Sequence, residues 1–194
     1  MRTSRVFRLL FRILIILLTL SVTIVSFLGG LSAVMILENP NNIGFDTNPD
    51  ININYNLTSG VLLDANFTLP FNITNAGYFD MDNLQLQVEL KMNYTRVDWN
   101  GTDTSPGVNG TYTVKIFEKT QDFGSIPKGL TGYFNISGLY ADFYPLNFPN
   151  ITEIDLFASP LLEFYANFTI SLDYSLGMHS ITINVQNIKV GELP

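Results

Sequence analysis

The stretch Ile13–Leu37 decides most of what this chain can become. Its 25 residues carry no charged side chain, and Arg2, Arg5, Arg8 and Arg12 stand just before it. A helix of that length is about 38 Å long, enough to cross a hydrocarbon core of about 30 Å with some tilt. The few polar groups are Ser and Thr hydroxyls, which can bond back to helix carbonyls. Buried helices of soluble domains are rarely apolar on every face over such a length. The lipid bilayer is therefore the expected partner of residues 13–37.

Charge gives the orientation. Arginines precede the segment and Glu38-Asn39-Pro40-Asn41-Asn42 follows it. The positive-inside rule then makes residues 1–12 a cytoplasmic basic tail and puts the rest of the chain outside the cell or in a lumen. A cleaved signal sequence competes with this reading, since small residues Gly29, Gly30, Ser32 and Ala33 would allow cleavage after Ser32. Secretory signals have apolar cores of only about 7–15 residues, so a retained anchor is expected.

Beyond the segment the chain holds 6 basic and 17 acidic residues, a net charge of −11. Such a surface repels nucleic acid and anionic headgroups, and no nucleic-acid partner is expected. The absence of cysteine leaves no disulfide to support an exported domain, so its core must hold unaided. Fifteen Phe and nine Tyr suit a β-rich interior.

Residues 38–50 contain Asn, Pro and Gly without periodicity and read as an extended linker. From residue 51 the chain alternates. Ile51, Ile53, Tyr55 and Leu57 share one face of a strand, and Phe67, Leu69, Phe71 and Ile73 one face of the next. Pro70 cannot donate to a ladder, which implies an edge or bulged strand. After a turn at Asn75-Ala76-Gly77, Leu84, Leu86, Val88, Leu90 and Met92 form a third apolar face, expected to pair with the second strand as a hairpin. Further strands are expected at Thr111–Lys119, Thr131–Ser137, Ile151–Phe157, Phe164–Tyr174 and His179–Val190. Asp98–Gly110 reads as a polar loop, Phe123–Gly129 as a connection, Ser175–Met178 as a turn, and Leu139–Pro149 stays unassigned. The last strand changes parity between Val185 and Ile188, which calls for a bulge near Gln186-Asn187. About seven or eight strands and no helix after residue 37 predict an all-β fold, one antiparallel β-sandwich over residues 51–194.

Nine N-x-S/T acceptors occur, at Asn56, Asn66, Asn72, Asn93, Asn100, Asn109, Asn135, Asn150 and Asn167. A glycan must be on the surface. The six in or beside strands, at 56, 66, 72, 93, 135 and 167, all fall on the polar parity, which supports both the strand register and an exported location.

Chemistry is sparse. His179 is the lone histidine, sits at a strand start and has no accompanying nucleophile motif. One histidine and no cysteine leave no zinc ligand set. Asp80 and Asp82, and Asp98 with Asn100 and Asp103, do not match a calcium loop. No catalytic residue, cofactor or metal is assigned, and the chain reads as a non-enzyme. The run Tyr140, Phe143, Tyr144, Phe148 reads as core, with a groove or membrane contact as the alternative.

The stretch Phe67–Val88 resembles the core of a LEA-2 or WHy-type (late embryogenesis abundant, water-stress) domain. There an alternating strand ends in a small polar turn, often Asn-Pro-Asn, before a second alternating strand. Here Phe71-Asn72-Ile73-Thr74-Asn75-Ala76-Gly77 takes the turn's place, and Leu84, Leu86 and Val88 the second strand's. The resemblance implies an LEA-2/immunoglobulin-like sandwich behind one membrane helix, no catalytic residues, and a stress-protective, membrane-associated or lipid-handling role. The expectation is a binding or scaffolding domain with an unknown protein or lipid partner. A surface adhesin or filament subunit pairing through strand edges is the alternative, and a lipid-handling domain with an apolar cavity the second.

Overall fold

The computed structural model describes residues 3–45, 49–56, 58–96, 110–174, 177 and 179–193. One helix, α1 (Thr3–Glu38), leads into eight strands. These are β1 (Ile43–Phe45), β2 (Asp50–Tyr55), β3 (Leu62–Thr74), β4 (Met81–Arg96), β5 (Gly110–Ile126), β6 (Thr131–Gly138), β7 (Leu162–Tyr174) and β8 (His179–Leu193). All strand pairing is antiparallel. In the first sheet β3 lies between β6 and an edge made by β1 and β2 in succession. The second sheet runs β5-β4-β7-β8.

The two sheets close face to face on the apolar parity of their strands. Phe67, Leu69, Phe71 and Ile73 from one, and Leu86, Val88, Leu90, Phe168 and Ile170 from the other, are buried in one core. Phenylalanine rings join the layers. Phe45 stacks on Phe168 at 4.3 Å, Phe67 meets Phe117 at 5.5 Å and Phe71 meets Phe123 edge-on at 5.1 Å. Such pairs add about 0.5–1.5 kcal/mol each beyond the area they bury. Without disulfides, this ring ladder is what the sandwich has in their place.

Five local expectations need correction. β3 and β4 do not form a hairpin, because residues 75–80 carry the chain from one sheet to the other. Pro70 is in a central strand, not an edge one. The edge opposite it is interrupted, with pairing to β2 ending at Thr68 and pairing to β1 beginning at Phe71. Pro70 lies beside that break and pairs with Asn135 of β6 on its other side. The described part of residues 38–50 is not an extended linker: α1 continues to Glu38, Pro40–Asn42 form a 3₁₀ turn, and β1 joins the sheet. β5 runs on through Phe123 to Ile126 and bulges at Ile116, so that Ile116 and Phe117 both turn inward. Ile151–Glu153 is a 3₁₀ turn, followed by a single bridge from Ile154 to Arg96.

The bulge in β8 is where parity required it. Ala166 pairs with Ile188 and Phe168 with Val185, so Gln186 and Asn187 together oppose Asn167. Asn187 takes φ 57°, a left-handed conformation that Asn tolerates.

Candidate functional site

The hydroxyls of the apolar helix bond back onto the helix itself. Thr19, Ser21 and Thr23 each donate to the carbonyl four residues back at 2.8 Å. Every residue from Phe7 to Ile24 is exposed. From Val25 onward the helix becomes part of the sandwich. Ser32 is 0% exposed, and its hydroxyl donates to Leu28 O at 2.8 Å while accepting from the Tyr78 backbone N–H at 2.9 Å. Ile36 is buried in the sandwich core. Asn42 closes the helix by donating from Nδ2 to the carbonyls of Met35 and Ile36 at 3.1 and 3.3 Å. Those carbonyls belong to the last turn, which lacks partners of its own. At the near edge Ser26 Oγ lies 3.2 Å from His179 Nε2. The lone histidine is thus a structural contact to the helix.

Asn75 organises the arch that receives the helix. It is fully buried and nearly every polar atom is used. Nδ2 donates to Phe79 O and Ile126 O, both at 2.9 Å, and Oδ1 accepts from Gly77 N at 3.1 Å and from the Tyr174 hydroxyl. Its backbone N–H donates to Leu130 O and its carbonyl accepts from Gly129 N. One residue, through its side chain and its backbone, therefore ties the arch, the β5–β6 turn and β7 together. Burial, and secondarily the Asp80 charge, push the Tyr174 hydroxyl well above the ordinary tyrosine range. It therefore stays a donor. Gly77 must be glycine for space, since a Cβ there would lie 2.7 Å from Ser32 Cβ and 2.9 Å from the Tyr174 hydroxyl.

The outer face of the second sheet carries a charge network. Glu89 and Glu118 are direct cross-strand partners, an arrangement that is repulsive alone. Lys115 bridges them, 2.7 Å from Glu118 and 3.8 Å from Glu89. Gln87 Nε2 donates to Glu118 and Asn167 Nδ2 to Glu89. The hydrogen bond from Lys115, then that from Gln87, holds the Glu118 carboxyl below its usual range, and the same bond raises Lys115. Each carboxylate is already engaged by amides and ammonium, which suits a structural network more than acid–base work.

The sequon asparagines that are described all lie outside the core. Asn66, Asn72, Asn93 and Asn167 are half-buried on the solvent face and Asn135 is exposed. They are not equivalent. Asn167 donates to Glu89 and its Oδ1 accepts the Asn187 N–H at 2.8 Å, holding the β8 bulge. Asn150 caps the 3₁₀ turn that follows it and reaches Ser59 O. Asn56 closes the β2–β3 turn by accepting from Thr58 and Ser59 N–H. Asn93 accepts from Thr113. Asn72 and Asn135 instead line an open groove of about 320 Å³ with Gly44, Pro70 and Tyr133. Asn100 and Asn109 lie outside the described residues, as do Asp98 and Asp103 and, Gly177 apart, the turn Ser175–Met178. Asp80 and Asp82 are described, and Asp80 accepts the Lys128 N–H at 2.9 Å.

The aromatic run divides between core and surface. Phe143 and Phe148 are buried, Phe143 against Phe117 at 5.0 Å, while Tyr140 and Tyr144 face outward. A backbone bond from Tyr144 N to Ile116 O, and a side-chain bond from Asn147 Nδ2 to Lys115 O, lay this segment along the free edge of β5. It also displays Leu146, 99% exposed, and the same connection displays Phe157, 98% exposed. Sequence reasoning missed the helix–sandwich joint altogether. Its signal was Ser32 and Gly29 placed three apart on one side of an otherwise apolar helix.

No protein-family model matches this chain, and no curated protein matches it. Among solved structures, a Northeast Structural Genomics Consortium target is 9% identical over 78% of this chain and 87% of its own, with a TM-score of 0.35. A structure described as an ApaA protein from Bordetella pertussis is 11% identical over 76% and 89%, with a TM-score of 0.28. At these scores neither carries an argument about this chain.

Proposed function

We propose that this chain is a single-pass membrane protein whose helix holds a non-enzymatic β-sandwich on the extracytoplasmic side, where the sandwich binds or scaffolds a protein or lipid partner. The observation that carries the reading is the double character of α1. It is bare and apolar over Phe7–Ile24 and then enters the sandwich core at Ile36. A signal sequence cut after Ser32 would lose the Ser32 hydroxyl bond and the covalent tie to Ile36, so the joint favours a retained anchor. An LEA-2-like assignment rests on the sequence resemblance of Phe67–Val88.

The strand edges weigh against assembly as a filament. β8 is irregular at two places, β5 is covered by residues 143–147, and Asn135 of the β6 edge is a candidate glycan site. Phenylalanine rings in contact across the layers occupy the space between the sheets where a lipid would lie. Glycans are proposed on the acceptors whose side chains make no bond among the described residues, Asn66, Asn72 and Asn135.

Alkaline extraction of membranes followed by protease treatment of intact cells tests the reading. Retention in the membrane pellet and digestion of the sandwich from outside are expected. Release into the alkaline supernatant would overturn the anchor, and protection until lysis would invert the orientation.

A further inference from the structure

The joint leaves no spacer between the lipid-facing helix and the folded domain. Taking the hydrocarbon to begin at Phe7, a core of about 30 Å ends near residue 27 of a helix rising about 1.5 Å per residue. Taking it to begin at Ile13, past the last arginine, it ends near residue 33 by the same arithmetic. Tilt moves the boundary further along the helix. Both choices put the outer edge of the hydrocarbon inside the segment that the sandwich already grips, between the His179 contact at Ser26 and the buried Ile36.

We infer that the sandwich is seated directly in the headgroup layer of the outer leaflet, with the end that bears Tyr78 and His179 as its lipid-contacting surface. This rests on the anchor reading above. Three features fit it. Tyr78 is 46% exposed beside the helix, an aromatic with a polar tip at the depth where such residues collect. Phe27, 70% exposed, lies on the helix next to Ser26 and its contact with His179. The carboxylates of Asp80, Asp82 and Asp173 at this end select zwitterionic over anionic headgroups. The exposed Leu146 and Phe157 are on the connection from β6 to β7, which leaves β6 at Gly138, far along the strands from the joint. The seat therefore turns them toward the aqueous side.

The absence of cysteine makes the test direct. Single-cysteine variants Phe27→Cys, Tyr78→Cys, Leu146→Cys and Phe157→Cys of the full chain are labelled with an environment-sensitive dye and reconstituted in phosphatidylcholine vesicles carrying headgroup-nitroxide lipid. The Tyr78 side chain is outside the joint, whose bond uses the backbone N–H, so this variant keeps its fold. Lys128→Cys, in the neighbouring exposed turn, provides a second probe of the same end. Labels at 27 and 78 should be quenched several-fold more by the nitroxide lipid than labels at 146 and 157, which iodide should quench. If 27 is quenched while 78 and 128 behave like 146, the seat is overturned and the anchor stands. If 27 also behaves like 146, the anchor itself fails.

Discussion

Replacing Asn75 by Asp changes one buried group and almost no volume, and it isolates what the arch depends on. In the native chain the Asn75 amide donates to Phe79 O and Ile126 O at 2.9 Å each. A carboxylate cannot donate, so both carbonyls lose their donor and face an acceptor. Each buried carbonyl left unsatisfied costs about 1–3 kcal/mol. The Tyr174 hydroxyl and the Gly77 N–H still donate to the remaining oxygen and offset part of the loss. A net destabilisation of about 3–4 kcal/mol follows, which for a chain of this size lowers Tm by roughly 6–16 °C. Thermal melts of the full chain in detergent, followed by circular dichroism, measure it. Asn75→Ala also strips the acceptor from the Gly77 N–H and the buried Tyr174 hydroxyl and leaves a cavity, so it should cost at least as much as Asp. A loss below about 1 kcal/mol for Asn75→Asp would refute the claim that this amide holds the arch, the β5–β6 turn and β7 together.

Gly138→Ala should destabilise by about 1–3 kcal/mol, because the new Cβ would sit 2.1 Å from a Phe117 ring carbon in the inter-sheet ladder; chemical denaturation reads the change. Asn167→Gln should cost about 1 kcal/mol by loosening the β8 bulge, whereas Asn135→Gln, which breaks no bond, should leave the melt unchanged. Glu118, Asp142, Glu163 and Asp173 all titrate lower folded than unfolded, so their contribution is present above the unfolded values of 4.5 and 3.8 and is lost as pH falls through the folded ones. Tm should therefore fall below about pH 4.5, and Lys115→Met should blunt the Glu118 share of that fall.

Much of the fold was legible because period-two alternation is a local property. Phe67–Ile73, Leu84–Met92 and Phe168–Tyr174 show their inward faces in the sequence alone, and the lost parity at Ile188 located a bulge to the residue pair. Which strands become neighbours was not legible. Asn75-Ala76-Gly77 looks like a hairpin turn, and only the bonds from Asn75 to Phe79 and Ile126 show that the chain crosses to the other layer. Likewise Ile43-Gly44-Phe45 is too short to show a period, and it is a strand because β3 offers a free edge there. The joint was hidden for a different reason. An apolar helix reads the same whether its last turns meet lipid or protein, and Ser32 acquires its meaning from Tyr78, 46 residues away.

Hydrogen exchange at the Tyr78 backbone N–H tests most directly whether the helix and the sandwich are one body. That N–H donates across the joint to Ser32 Oγ at 2.9 Å. In the full chain reconstituted in lipid it should exchange as slowly as the core amides of β3 and β4, and Ser32→Ala, which removes the acceptor, should speed it while leaving those amides protected. Fast exchange at Tyr78 in the wild-type chain, with the β3 and β4 amides still protected, would mean that the helix and the sandwich are merely tethered.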